Sequence, residues 1–130
     1  MKKTLLALAF VAVTPATAAL AQDVEAGKAV FNQCRACHAV GETAKNQVGP
    51  VLNGVIGRKS GSIEGFKYSE AMAGANKVWD EATFAAYMEN PKAYIPGNKM
   101  IYAGLKDEQK VKDLTAFLKQ YGADGKIAAK

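Results

Sequence analysis

Cys34-Arg35-Ala36-Cys37-His38 decides how this chain is read. The pentapeptide has the spacing C-x-x-C-H, and it holds both cysteines and the single histidine of the 130 residues. On a helical turn, side chains three apart project from nearly the same face. Two thiols placed that way can add to the two vinyl groups along one edge of a haem, giving two thioethers. An imidazole on the next residue can then reach the iron from below the ring. The spacing is that of a c-type haem attachment site. Other chemistries fit poorly. A zinc site takes about four ligands, and only Cys34, Cys37 and His38 offer sulfur or imidazole at this place. A thioredoxin-like pair belongs beside a strand–helix–strand pattern, and the chain shows none. A disulfide between residues three apart closes a loop too small to stabilise much.

Upstream, Met1-Lys2-Lys3 is a basic start, Leu5 to Val13 is an apolar run, and Ala19-Leu20-Ala21 is an A-x-A cleavage site before Gln22. Residues 1–21 therefore read as a cleaved Sec signal peptide, with an apolar run too short to span a membrane. No other stretch is apolar enough to do so, and the protein is expected in the periplasm. Residues 22–130 suffice for one small domain, whose modest core a buried haem would enlarge. Exported thiols oxidise unless they are used, and haem attachment uses them. The formal charge of +5 falls by two when Lys2 and Lys3 leave. The basic residues are dispersed, with no run longer than Arg58-Lys59, so no nucleic-acid partner is expected. Lysines in a local patch would instead favour an acidic partner.

Downstream, the spacing predicts a helix over Val24 to Ala36 with Phe31 facing the core, delivering Cys34, Cys37 and His38 at its end. Ala39 to about Lys67 is rich in Gly and polar residues. A loop of that length is unusual in a compact domain, and it makes sense if the chain wraps a flat cofactor. Ser69 to Ala75 reads as a short helix. Asp80 is a good N-cap for Glu81 to Glu89. Pro91 ends that helix and can open a further turn. Ile95 to Leu105 is loop again. Asp107 caps a last helix reaching Tyr121, with Val111, Leu114 and Leu118 on its apolar stripe, Phe117 beside it, and Gly122 as its stop. Residues 122–130 read as a frayed tail. No strand pattern appears, so the fold is expected to be all-α with long loops.

A haem iron needs a sixth ligand, and no second histidine exists. Met72, Met88 and Met100 remain once Met1 has left. Met88 sits inside a helix, where methionine is usually core filler, and Met72 lies in a short helix among small neighbours. Met100 follows Pro96-Gly97 in an irregular loop that can carry a side chain across a cofactor face. His/Met ligation is the usual arrangement in cytochromes c, which favours Met100. The alternative is a packing methionine and a five-coordinate iron.

From about Asp23 to Tyr121 the chain resembles the class I c-type cytochromes, the group of bacterial cytochromes c2 and mitochondrial cytochrome c. The resemblance rests on C-R-A-C-H, V-G-P-V-L-N-G-V-I-G-R-K-S-G, G-F-K-Y, the lone Trp79, Y-M-E-N-P-K and Y-I-P-G-N-K-M-I-Y-A-G. It implies one haem c held by Cys34 and Cys37, with His38 and Met100 on the iron. By the same resemblance Pro50 would accept a hydrogen bond from the distal nitrogen of His38, fixing ring and tautomer. Tyr68 and Trp79 would bind a buried propionate with Arg58 near it, and Tyr87 would donate to the Met100 sulfur. Gly27 and Phe31 would pack on Phe117 where the first and last helices cross. Met72, Tyr102, Gln33 and Gln47 depart from the mitochondrial pattern, which has a polar amide, a Phe and two lysines there. Lys92, Lys99 and Lys106 match the family's lysine ring.

The expected function is a soluble, monomeric periplasmic electron carrier and not an enzyme. Its donor would be a bc1-type complex, and its acceptor a photosynthetic reaction centre or terminal cytochrome oxidase, as the resemblance implies. The alternatives are a haem peroxidase or a gas-binding haem protein, and both require Met100 to be displaceable.

Overall fold

In the computed structural model, which describes residues 9–13 and 22–128, every α-helix starts on a side-chain cap. Asp23 accepts the Ala26 N–H and opens α1, Val24–Phe31. Ser69 accepts the Met72 N–H and opens α2, Glu70–Ala73. Asp80, on the Thr83 N–H, opens α3, Glu81–Glu89. Asn90 opens α4, Pro91–Tyr94, with Pro91 in its first turn. Asp107 opens α5, Glu108–Lys119. These are the short acceptors that satisfy a helix's unpaired first N–H groups. Among the described residues no strand forms. The two isolated bridges pair Lys59 with Val78 and Tyr121 with Ile127. The described residues are helices and long loops arranged around one cavity. No helix among the described residues is long and apolar enough to cross a membrane. The leader expected over residues 1–21 lies, apart from residues 9–13, outside the described residues.

The frame is set by α1 and α5. A Cβ at Gly27 would stand 1.9 Å from the Asp113 carbonyl oxygen and 2.8 Å from Phe117 Cβ, so the two helices meet backbone to backbone there. Only a residue without a side chain permits that approach. One turn on, the Phe31 and Phe117 rings pack with centroids 5.2 Å apart. The Asp23 N–H also donates to Asp113 Oδ1 (2.9 Å), tying the start of α1 to the buried face of α5.

Two expectations about element ends need correction. The helix expected to run to Ala36 stops at Phe31 and tightens into a 3-10 turn, Asn32–Cys34. The Cys37 and His38 N–H groups then both reach the Cys34 carbonyl (3.1 and 2.9 Å). Such tightening satisfies terminal carbonyls while turning the chain off the helix axis. Nor do residues 122–128 fray. The Ala128 N–H donates to the Gln120 carbonyl and the Gly122 N–H to the Lys126 carbonyl, both at 2.9 Å, and Gly125 is buried against Gly41 and Asn53. The tail is held by hydrogen bonds to nearby residues and by packing of Gly125 on a segment distant in sequence.

Candidate functional site

The loops after Cys37 and after Tyr94 close with α3 and α5 around a cavity of about 330 Å³. Its apolar wall includes Phe31, Leu52, Val55, Phe84, Leu114 and Leu118. Cys34, Cys37, His38, Pro50, Arg58, Tyr68, Trp79, Tyr87 and Met100 all line it, so every site residue anticipated from sequence faces one space.

Cys34 and Cys37 are free thiols, both half-buried. Burial, then the neighbouring Cys37, pushes the Cys34 thiol up to about 11, so it is uncharged at neutral pH. His38 follows on the same turn. Its Nδ1 lies 2.8 Å from the Pro50 carbonyl, and because a carbonyl can only accept, Nδ1 carries the proton. Nε2 then keeps its lone pair. Burial lowers the His38 pKa; the Pro50 bond opposes this and Arg58 adds to it, so the imidazole is neutral. Gly49 makes this contact possible. Its N–H donates to the Cys37 carbonyl (2.9 Å), and a Cβ there would come within 2.3 Å of His38 Cε1.

Met100 reaches the cavity from the loop after α4. Buried Tyr87, on α3, donates its hydroxyl to the Met100 sulfur at 3.4 Å. Burial pushes that phenol up to about 12, so it keeps the proton it donates. The residue that sets the backbone of Met100 is Asn98, which sequence reading treated only as part of a turn. Its Nδ2 donates to the carbonyls of Pro91 and Ile95, both at 2.8 Å, and its Oδ1 accepts the Met100 N–H at 2.9 Å. An Asn after Pro-Gly reads as turn chemistry, and no local pattern signals three such bonds.

Arg58 behaves differently from an ordinary surface charge. Its Nη1 donates to the carbonyls of Val51 and Asn53 (3.0 and 2.9 Å). Its Nε is buried and has no hydrogen-bond partner among the described residues. An always-charged guanidinium with a buried, unused donor on a cavity wall suits a carboxylate. Burial lowers the Arg58 pKa and Tyr68 opposes the shift. Tyr68 has its hydroxyl on the Ile63 N–H (3.0 Å), leaving it one proton to donate elsewhere. Trp79 is buried against Tyr87, ring centroids 4.9 Å apart. Two thiols, a neutral imidazole, a thioether and an unpaired cationic donor around an apolar cavity fit a haem with its propionates.

Lys99, which lines the cavity, and Lys92 are exposed, and the Lys106 ammonium donates to the Glu89 carbonyl at the end of α3 (2.9 Å). Lys106 therefore also caps that helix. Ile101 and Val48 are exposed beside the opening.

Comparison with known proteins agrees with this geometry. The family model for cytochrome c matches residues 24–122. The chain is 54% identical to a cytochrome c2 of Blastochloris viridis over 125 residues, covering 96% of this chain and 98% of that one. It is 51% identical to a cytochrome c-550 of Nitrobacter winogradskyi over 108 residues, 83% of this chain and 99% of that one. The solved structure of cytochrome c2 from Rhodospirillum centenum is similar with a TM-score of 0.73 at 38% identity, covering 77% of this chain and 98% of the other.

Proposed function

The chain belongs to the cytochrome c family of electron carriers with covalent haem c, and on that premise we propose that it is a monomeric periplasmic carrier, exported by residues 1–21, that moves single electrons between membrane complexes. Cys34 and Cys37 would hold the haem through thioethers, and His38 Nε2 and Met100 Sδ would ligate its iron. The bound group supplies a one-electron ferric/ferrous couple. The observation that carries this reading is the convergence of two thiols, a neutral imidazole and a thioether on one apolar cavity.

The side chains around that cavity have separable tasks. Pro50 holds the His38 ring and its tautomer through Nδ1. Tyr87 draws electron density from the Met100 sulfur, and a thioether so placed favours ferrous iron and a higher potential than a second imidazole. The apolar wall disfavours the extra charge of the ferric form. Arg58, Tyr68 and Trp79 receive a propionate. With His38 and Met100 both on the iron, the protein would leave no position for a substrate, which suits a carrier rather than an enzyme. Lys92, Lys99 and Lys106 draw an acidic partner into short encounters that salt weakens. A bc1-type complex is the donor, and a reaction centre or terminal oxidase is the acceptor.

Mixing the purified holoprotein with a quinol-oxidising bc1-type complex tests this. Rapid reduction that slows as salt rises, with no turnover of hydrogen peroxide, is the expected result. Peroxide turnover without reduction by the complex would overturn it in favour of a peroxidase.

A further inference from the structure

The loop that carries Met100 is fastened very differently on its two sides. Before Met100, Asn98 locks the chain to α4 through the three hydrogen bonds described above. After Met100, Ile101 is 97% exposed. The chain is next fixed to α3 at Leu105, whose N–H donates to the Met88 carbonyl (2.8 Å). Between these points, residues 101–104 make one hydrogen bond among the described residues. The Tyr102 hydroxyl donates to Gln33 Oε1 at 3.1 Å. Gln33 lies in the 3-10 turn beside Cys34, 69 positions earlier in the chain, and both side chains line the cavity. The contact joins the segment bearing the thioether to the segment bearing the cysteines.

We infer that Tyr102 and Gln33 form a latch across the mouth of the cavity, and that both are positioning residues for Met100. The inference rests on the reading of Met100 as an iron ligand. The Asn98 side of the loop is built to stay in place, so release of the sulfur proceeds by swinging of the 101–104 side. The latch opposes that swing. Breaking it raises the fraction of time that the sulfur is off the iron and a small nitrogen ligand can enter. Its strength is that of one partly solvated hydrogen bond, so the opening equilibrium shifts by about two- to five-fold and no more.

Imidazole binding to the ferric holoprotein reads this directly, followed by loss of the red sulfur-to-iron band. Tyr102→Phe keeps the ring, and Gln33→Leu keeps most of the side chain's bulk while removing the acceptor. Each is expected to raise the apparent affinity for imidazole by about two- to five-fold, with the unfolding midpoint close to that of the parent. The double variant is expected to match the single variants, because both remove the same bond. Unchanged affinity in Tyr102→Phe, or effects that multiply in the double variant, would overturn the latch while the parent's red band upholds Met100. A parent without the red band would overturn the ligand and the latch together.

Discussion

Gly49→Ala should damage the iron site without touching a ligand. Gly49 is buried, and its φ is outside the left-handed region, so alanine meets no backbone strain there. The obstacle is steric. The added Cβ would lie 2.3 Å from His38 Cε1 and 2.7 Å from both ring nitrogens. Ring and chain must separate by about 1 Å, which takes the 2.8 Å His38–Pro50 bond well past the ~3.2 Å limit of a good hydrogen bond. Losing the bond that orients a metal-bound histidine typically weakens metal binding ~10–100-fold, or ~1.4–2.7 kcal/mol. Overpacking a filled site adds ~1–3 kcal/mol. The sum, ~2–6 kcal/mol, is a large part of the ~5–15 kcal/mol that holds a small domain folded. Guanidinium unfolding of the ferric holoprotein is the assay, with the absorption spectrum recorded at each step. The variant should unfold at clearly lower denaturant and show high-spin iron before it unfolds. Parent-like stability with an unchanged spectrum would refute the close passage of residue 49 over the imidazole.

Three further outcomes are expected. Gly27→Ala should destabilise the protein by at least ~2 kcal/mol in urea unfolding through overpacking of the α1–α5 crossing; in an open helix the same change would stabilise by about 1 kcal/mol, so a gain would contradict that crossing. Tyr87→Phe removes the donor from the Met100 sulfur and should lower the midpoint potential by ~20–40 mV, the one-electron equivalent of a weak hydrogen bond; an unchanged potential in a redox titration would mean that the hydroxyl does not act on the sulfur. Asp80 has its pKa lowered, chiefly by the Thr83 N–H at the start of α3. Its contribution is thus present above the unfolded carboxylate value and lost as pH falls through the lower folded one, so Asp80→Asn should flatten the acid limb of the stability–pH profile below about pH 4.

The thiol, imidazole and thioether side chains that meet at the cavity were legible in the sequence. C-x-x-C-H has few other meanings once Cys and His are exhausted, and Met100 stood out because Met72 and Met88 sit in helices. Helix starts were legible too, because Asp80 and Asp107 act through their immediate neighbours, as did Pro91 in opening α4. What escaped depends on how the chain folds back on itself rather than on residue spacing. Asn98 looks like any turn residue until its three partners are in place. The halt of α1 at Phe31 depends on how the next residues turn toward the cavity, which apolar spacing does not encode. Residues 122–128 read as a tail because the groups that hold them, Gln120, Gly41 and Asn53, form no local pattern with them. That Arg58 Nε is buried with no hydrogen-bond partner among the described residues emerges only from the fold.

The proposed carrier role requires an iron closed on both sides by His38 and Met100. Spectra of the purified holoprotein, oxidised and reduced, with and without carbon monoxide, bear on that point alone. A weak red sulfur-to-iron band in the ferric form, together with a ferrous form that ignores carbon monoxide, is the predicted result. A missing band with immediate carbon monoxide binding would contradict it and leave the iron open to the chemistry of an enzyme or a gas sensor.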